Sequence, residues 1–158
     1  MAYLIDGNNL LGRIAPHELR ERTGREGLVV RLVAFQRVTR TRIHLVFDGN
    51  PEATRTDVIV NPKFTIHYPG EGQSADDVIR DLVGRQADRR RFFVVSSDRA
   101  IRELAKKSGF QPVTSEVFAD ELKAAIKEGK KQRELEKRTE APSPLEINLW
   151  DEVFKSKP

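Results

Sequence analysis

Three short apolar runs each lead to an aspartate. Residues 2–5 end at Asp6, residues 43–47 at Asp48, and residues 92–95, through two serines, at Asp98. Runs of four or five apolar residues are too short for buried helices and read as strands buried on both faces. Amphipathic patterns separate them. Strands of this kind, alternating with helices, build a mostly parallel sheet covered on both sides, a three-layer α/β sandwich. Ligands of such sheets bind beyond the carboxyl ends of the strands. The aspartates therefore fall on the edge where chemistry is expected.

The remaining elements follow from local signals. Asp6-Gly7-Asn8-Asn9 reads as a turn, as does Asp48-Gly49-Asn50-Pro51. Residues 16–21 read as a short helix. Thr23-x-x-Glu26 has the form of a capping box. Leu28, Val29, Leu32, Val33 and Val38 follow it at near-helical spacing, which predicts a helix over about 24–40. Residues 58–60 and 64–67 read as strands broken by Asn61-Pro62. Ser74-x-x-Asp77 opens a helix with Val78, Ile79, Leu82 and Val83 inward. Asp98 caps another, carrying Ile101, Leu104 and Ala105 and closed by Gly109. A strand over 110–113 precedes a last helix over 115–128, with Gly129 as its stop.

Residues 130–138 are almost all charged and read as a solvated helix extension or a linker. Pro142-Ser143-Pro144 breaks this segment, and Leu149, Trp150, Val153 and Phe154 mark an apolar tail that packs back or docks to a partner. The expected organisation is one domain over residues 1–129 and a charged linker with a C-terminal helical tail over 130–158.

Composition narrows the chemistry. The chain has no cysteine, which excludes disulfides, thiol nucleophiles and cysteine-ligated zinc and fits a reducing cytoplasm. His17, His44 and His67 are scattered, so a histidine zinc site is not expected. The N-terminus lacks the basic and long apolar regions of a signal peptide, and no apolar run approaches the ~20 residues of a membrane span. A formal net charge of +4 and a pI near 9.5 suit a polyanionic partner. They suit plain solubility equally well.

Asp76 and Asp77 add an acidic pair in the first turn of a helix, so Asp6, Asp48, Asp76, Asp77 and Asp98 can share one sheet edge. Carboxylates held that close repel unless a cation lies between them. Hard oxygen ligands suit Mg²⁺ or Mn²⁺, and such a nest can activate water and stabilise charge on a phosphoryl oxygen. Phosphodiester hydrolysis is the chemistry this favours. Each aspartate alone has an ordinary explanation as a cap, a turn former or a partner of a helix dipole. Asn8 and Asn9 can donate to phosphate or water, and Ser96 and Ser97 can bond a carboxylate, though all four are also common turn and cap residues. No P-loop and no nucleophile elbow occurs.

Leu4-Ile5-Asp6-Gly7-Asn8-Asn9-Leu10, Val46-Phe47-Asp48-Gly49, Ser74-Ala75-Asp76-Asp77-Val78-Ile79 and Val94-Val95-Ser96-Ser97-Asp98 resemble, in order, the motifs of the NYN branch of PIN-like nucleases. Within it they look most like the YacP-like family of small bacterial proteins, over roughly residues 2–128. The resemblance implies a PIN-like parallel sheet, a divalent metal, and cleavage of RNA by an activated water. It implies Asp6, Asp76, Asp77 and Asp98 as catalytic metal ligands. Asn9, less directly Asn8, would orient water or phosphate, with Asp48 at a recurrent family position. Ribosome-linked cleavage of mRNA is the expectation it carries for partners. Two positions depart from the related flap nucleases: Ser74 stands where those have Glu, and Ala100 where they have a second strand-end acid. A strong second metal is therefore not expected.

Such a site must hold an RNA backbone. Arg13, Arg55, Lys63, Arg99 and Arg102 are the expected contacts on its edge, and Arg89-Arg90-Arg91 lies at the opposite end of its strand. Lys130, Lys131, Arg133, Lys137 and Arg138 form the densest basic run. The competing function is a non-catalytic RNA- or ribosome-binding protein on the same fold. A haloacid-dehalogenase-type phosphatase ranks last, because Asn8 stands where that chemistry wants a second aspartate.

Overall fold

The computed structural model describes residues 1–19, 21–49 and 56–139. Six strands form one sheet in the order β3-β4-β2-β1-β5-β6. β1 (Ala2–Asp6), β2 (Arg42–Val46), β4 (Phe64–Tyr68), β5 (Phe92–Val95) and β6 (Gln111–Val113) run parallel. β3 (Thr56–Asn61) pairs antiparallel on the outer side of β4. Its Val58, Ile59 and Val60 are exposed, as an edge strand permits. The helices are α1 (Gly7–Ile14), α2 (Arg22–Thr39), α3 (Ala75–Arg85), α4 (Arg99–Lys107) and α5 (Ser115–Thr139), with a 3-10 turn over Pro16–Glu18.

Alternation along the strands splits the core in two. Tyr3, Ile5, Ile43 and Leu45 face one side, where they meet Leu10 and Leu11 of α1, Leu28, Leu32 and Phe35 of α2, and Phe118 and Leu122 of α5. Leu4, Val46 and Val94 face the other, against Val78, Ile79 and Leu82 of α3 and Ile101 and Ala105 of α4. These are the three layers the sequence predicts. The chain divides into two compact units, residues 1–126 and 127–158.

Three local readings change. Asp6-Gly7-Asn8-Asn9 is the start of a helix and not a turn: α1 begins at Gly7, with Leu10 and Leu11 fully buried. The glycine is needed for space, because a Cβ there would lie 2.8 Å from the Phe47 ring and from the Val46 carbonyl oxygen. The Thr23 capping box does not form; α2 starts at Arg22, and the Thr23 hydroxyl bonds Glu21 at 3.3 Å. Gly24 sits inside α2 because the Glu18 backbone leaves no room for a side chain. Gly129 does not stop α5, which runs on to Thr139. One glycine costs a helix only about 1 kcal/mol, and Lys, Gln, Arg, Glu and Leu around it favour helix. Trp150, Phe154 and the Pro142-Ser143-Pro144 break lie outside the described residues. Among the described residues no helix is long and apolar enough to cross a membrane.

On the α3 face, Asp57, His67 and His44 form a chain across β3, β4 and β2. His67 Nδ1 meets Asp57 Oδ1 at 2.8 Å, and His67 Nε2 meets His44 Nδ1 at 3.1 Å. Burial, then His67 and Arg42, hold His44 down to about 4, with Asp57 opposing. The fold therefore keeps His44 neutral where the unfolded chain, near 6.5, takes a proton. Its contribution is present above about 6.5 and is lost as pH falls from there to about 4. Up to about 3 kcal/mol rides on it. Urea unfolding across that window is expected to show a steeper loss in wild type than in His44→Gln; parallel curves would remove this histidine from the account.

Candidate active site

The carboxyl ends of β1, β2 and β5 and the first turns of α3 and α4 meet at one edge. Asp6 is the last residue of β1 and the N-cap of α1. It is buried at 8% exposure. The buried Ser96 hydroxyl, one residue past β5, donates to Asp6 Oδ2 at 3.0 Å and accepts from the Asp98 N–H at 3.1 Å. Ser96 thus ties the two strand-end aspartates together. Asp98 is the N-cap of α4, its Oδ1 accepting from Ala100 N–H at 2.8 Å.

Burial pushes the Asp6 carboxyl from 3.8 up to about 6; hydrogen bonds from Ser96 and the Asn9 N–H oppose this, and the charges of Asp76 and Asp98 add to it. Asp76, half-buried in α3, is also raised, first by burial and then by Asp98, with Arg80 pulling the other way and Asp48 and Asp77 adding to the rise. Asp6, Asp76 and Asp98 therefore form one electrostatic cluster, with Asp48 at its margin. Asp77 is engaged elsewhere. Its Oδ2 accepts from the Ser74 N–H at 2.9 Å, while its own N–H donates to Ser74 Oγ at 3.2 Å, a complete capping box. Ser74 is the reciprocal half of that cap.

The asparagines brace the edge. Asn8 Oδ1 accepts the Asp48 N–H at 2.7 Å, joining α1 to the loop after β2. Asn9 Oδ1 accepts from Ser97 N–H at 3.0 Å and from the Ser115 hydroxyl at 2.6 Å, joining α1 to the ends of β5 and β6. Asp48 is exposed, and the Arg25 guanidinium holds its carbonyl at 2.5 Å.

Glu116 is the residue that sequence reasoning missed. Its carboxylate accepts from Ser97 Oγ at 2.7 Å and pairs with Arg13 at 2.9 Å. The Ser97 bond leads in holding it below the usual glutamate range. The signal was present: Glu116 opens a helix directly after a strand, at the same edge as the aspartates.

Of the basic residues, Arg13 lies beside this edge in its pair with Glu116. Arg99 opens α4 next to Asp98 and pairs with Glu103 at 3.1 Å. Arg102 is exposed one turn on. Lys63 is at the opposite edge, in the turn before β4, because β4 runs parallel to β2. Arg55 lies outside the described residues.

Among the described residues no three acidic or histidine side chains close around a common point at ligating distance. The aspartates sense one another's charge without forming a closed cage. Mg²⁺ commonly binds through one or two carboxylates and keeps several waters. A buried carboxylate raised by like charges, beside two others offering only oxygen, fits a hydrated divalent cation of that kind. Ser96→Ala is expected to weaken Mn²⁺ binding by about 10- to 100-fold without unfolding the protein, since it releases the Asp6 carboxylate and the backbone N–H that sets Asp98. Isothermal titration with Mn²⁺ measures this, and unchanged affinity would deny Ser96 a positioning role.

A mostly parallel α/β sandwich with acids gathered at the carboxyl edge is the build of a PIN-like, nuclease-type domain. The chain belongs to the YacP-like NYN domain family, whose model matches residues 3–156. That membership makes it a nuclease-type, RNA-related protein. The crystal structure of Rae1 (YacP) from Bacillus subtilis matches with 22% identity over 99% of this chain and 91% of that one, at a TM-score of 0.70. Its W164L mutant matches with 20% identity over 94% and 89%, at 0.72. At such identity the likeness speaks for the fold. No curated protein matches in sequence.

Proposed function

We infer that the chain is an endoribonuclease whose phosphodiester hydrolysis depends on Mg²⁺ or Mn²⁺ held by Asp6, Asp76 and Asp98. The observation that carries this reading is the buried Asp6 carboxyl, raised to about 6 and joined to Asp98 through Ser96. Burying a carboxylate among like charges is costly unless a cation belongs there. When bound, the cation supplies positive charge for a phosphoryl oxygen and eases deprotonation of water. Ser96 holds the Asp6 carboxylate and the Asp98 backbone N–H, and Asn9 locks α1 to β5 and β6 so that Asp6 keeps its direction. Asp77 acts through the position of α3. Arg13, Arg99 and Arg102 lie where they can meet the backbone of the strand being cut. Messenger RNA on a ribosome is the substrate the family resemblance suggests.

A non-catalytic RNA binder is the second reading, favoured by the open ligand set. Cleavage of a long unstructured RNA separates the two. Cuts are expected with Mn²⁺ and not with EDTA. At limiting Mn²⁺ the rate is expected to climb as pH rises through about 6, where Asp6 loses its proton and becomes able to bind a cation. RNA binding that ignores EDTA, with no cuts at any pH, would favour the binder.

A further inference from the structure

The edge opposite the aspartates is rich in exposed cations. Opposite the aspartates, at the amino ends of the strands, the chain places Arg40, Arg42, Lys63, Arg89, Arg90 and Arg91. Arg40 and Arg42 lead into and open β2, Lys63 precedes β4, and the three arginines precede β5. All six are exposed. Strands β4, β2, β1 and β5 are neighbours. At ~4.8 Å per strand the cations span about 14 Å of rim. A cavity of about 350 Å³ opens at one end, lined by Arg40 and Lys63 and also by Arg37. The acid paired with this set is Asp88, 3.7 Å from Arg90. Arg40, Arg42, Lys63 and Arg91 form no ion pair among the described residues.

Basic residues gather at helix C-termini to meet the helix dipole. That accounts for Arg37 and Arg40 at the end of α2, but not for Lys63 or Arg89–Arg91, which lie outside helices. Among the described residues, Arg40 and Arg91 are also the non-glycine residues that hold left-handed backbone, at φ 55° and 54°. Glycine adopts that conformation freely, so the turns alone do not call for arginine.

We propose that this amino edge is a docking surface for the phosphate backbone of base-paired RNA, separate from the carboxylate edge. An exposed row of cations, with Asp88 the acid paired to it among the described residues, suits a polyanion. Among the described residues the large hydrophobics that are exposed include no aromatic ring, and Phe92 and Phe110 beside the rim are buried. Unstacked bases are usually held on aromatic rings, so recognition here is of backbone and shape. A protein partner would want an apolar centre, and here the exposed Met1 stands singly among the cations. RNA docked here leaves the opposite edge facing outward. The inference does not depend on catalysis.

The test is fluorescence anisotropy of the full chain in EDTA, with a hairpin RNA and an unstructured RNA of equal length. The variants are Arg42→Gln/Lys63→Gln/Arg90→Gln at the rim and Arg99→Gln/Arg102→Gln at the carboxyl edge. All these side chains are exposed, and circular dichroism checks that each variant is folded. The rim triple is expected to lose roughly tenfold in hairpin affinity, with a salt dependence shallower by about 3. The carboxyl-edge pair should lose far less, and the hairpin should bind better than the single strand. Wild-type affinity in the rim triple, an equal loss in the carboxyl-edge pair, or equally tight binding of polyglutamate or anionic vesicles would overturn the proposal. Cleavage by wild type with Mn²⁺ is scored separately, so failure of the nuclease reading leaves this result standing.

Discussion

Asp6→Asn is expected to make the metal-free protein more stable while removing its nuclease activity. The folded-state carboxyl is raised from 3.8 to about 6. Between those values the fold takes up a proton that the unfolded chain has released, so stability declines as pH rises through that window. Above about 6 the ionised group carries the whole penalty, about 3 kcal/mol for the rise from 3.8 to about 6. Asparagine removes the charge and keeps an oxygen for the Ser96 hydroxyl. For a chain of this size the melting temperature at pH 7 in EDTA should rise by about 5–10 °C. Saturating Mn²⁺ should raise the wild type and leave the variant where it was. Cleavage should fall by roughly a thousandfold or more, below detection. A variant that melts below wild type in EDTA would mean that Asp6 is a structural residue and that its burial is already compensated within the protein.

Gly7→Ala sets two effects of opposite sign against each other. Helix propensity favours alanine by about 1 kcal/mol at most, since Gly7 is the first residue of α1. Packing opposes it. A Cβ would come within 2.8 Å of both the Phe47 ring and the Val46 carbonyl oxygen. The ring is fully buried and the carbonyl is backbone of β2, so neither yields cheaply. Overpacking of this kind costs about 1–3 kcal/mol and should win. The displacement falls between Asp6 and Asn8, so cleavage is expected to drop at least tenfold in protein that remains folded. Urea unfolding and RNA cleavage measured together decide it. A variant as stable and as active as wild type would show that β2 and α1 do not meet as closely as described.

These two sites also show what the sequence could reveal. Asp-Gly-Asn occurs twice, at residues 6–8 and 48–50, and both read as turns. Gly49 does hold φ +72°, the left-handed backbone a turn requires. Gly7 instead opens a helix, and its reason is the approach of Val46 and Phe47, at and just past the end of a strand about forty residues away. No local pattern carries that information. The strands, their burial and the convergence of Asp6, Asp76 and Asp98 were legible because apolar runs and strand-end acids are local signals read under one topological rule. Lys63 was misplaced because its edge depends on the direction of β4 relative to β3. Asp77 lies where the sequence puts it, but its carboxylate serves the helix cap that the same Ser74-x-x-Asp77 pattern announces. Glu116 was overlooked because one acid at a helix start has an ordinary explanation, and only its bonds to Ser97 and Arg13 bring it into the site.

The most direct test is cleavage of a long, internally labelled RNA by wild type and Asp6→Asn, side by side, with Mn²⁺, Mg²⁺ and EDTA. The aspartate edge as a metal-dependent ribonuclease site predicts cuts by wild type with metal, none with EDTA, and none by the variant under any condition. Cuts that persist in Asp6→Asn, or that survive EDTA in wild type, would contradict it.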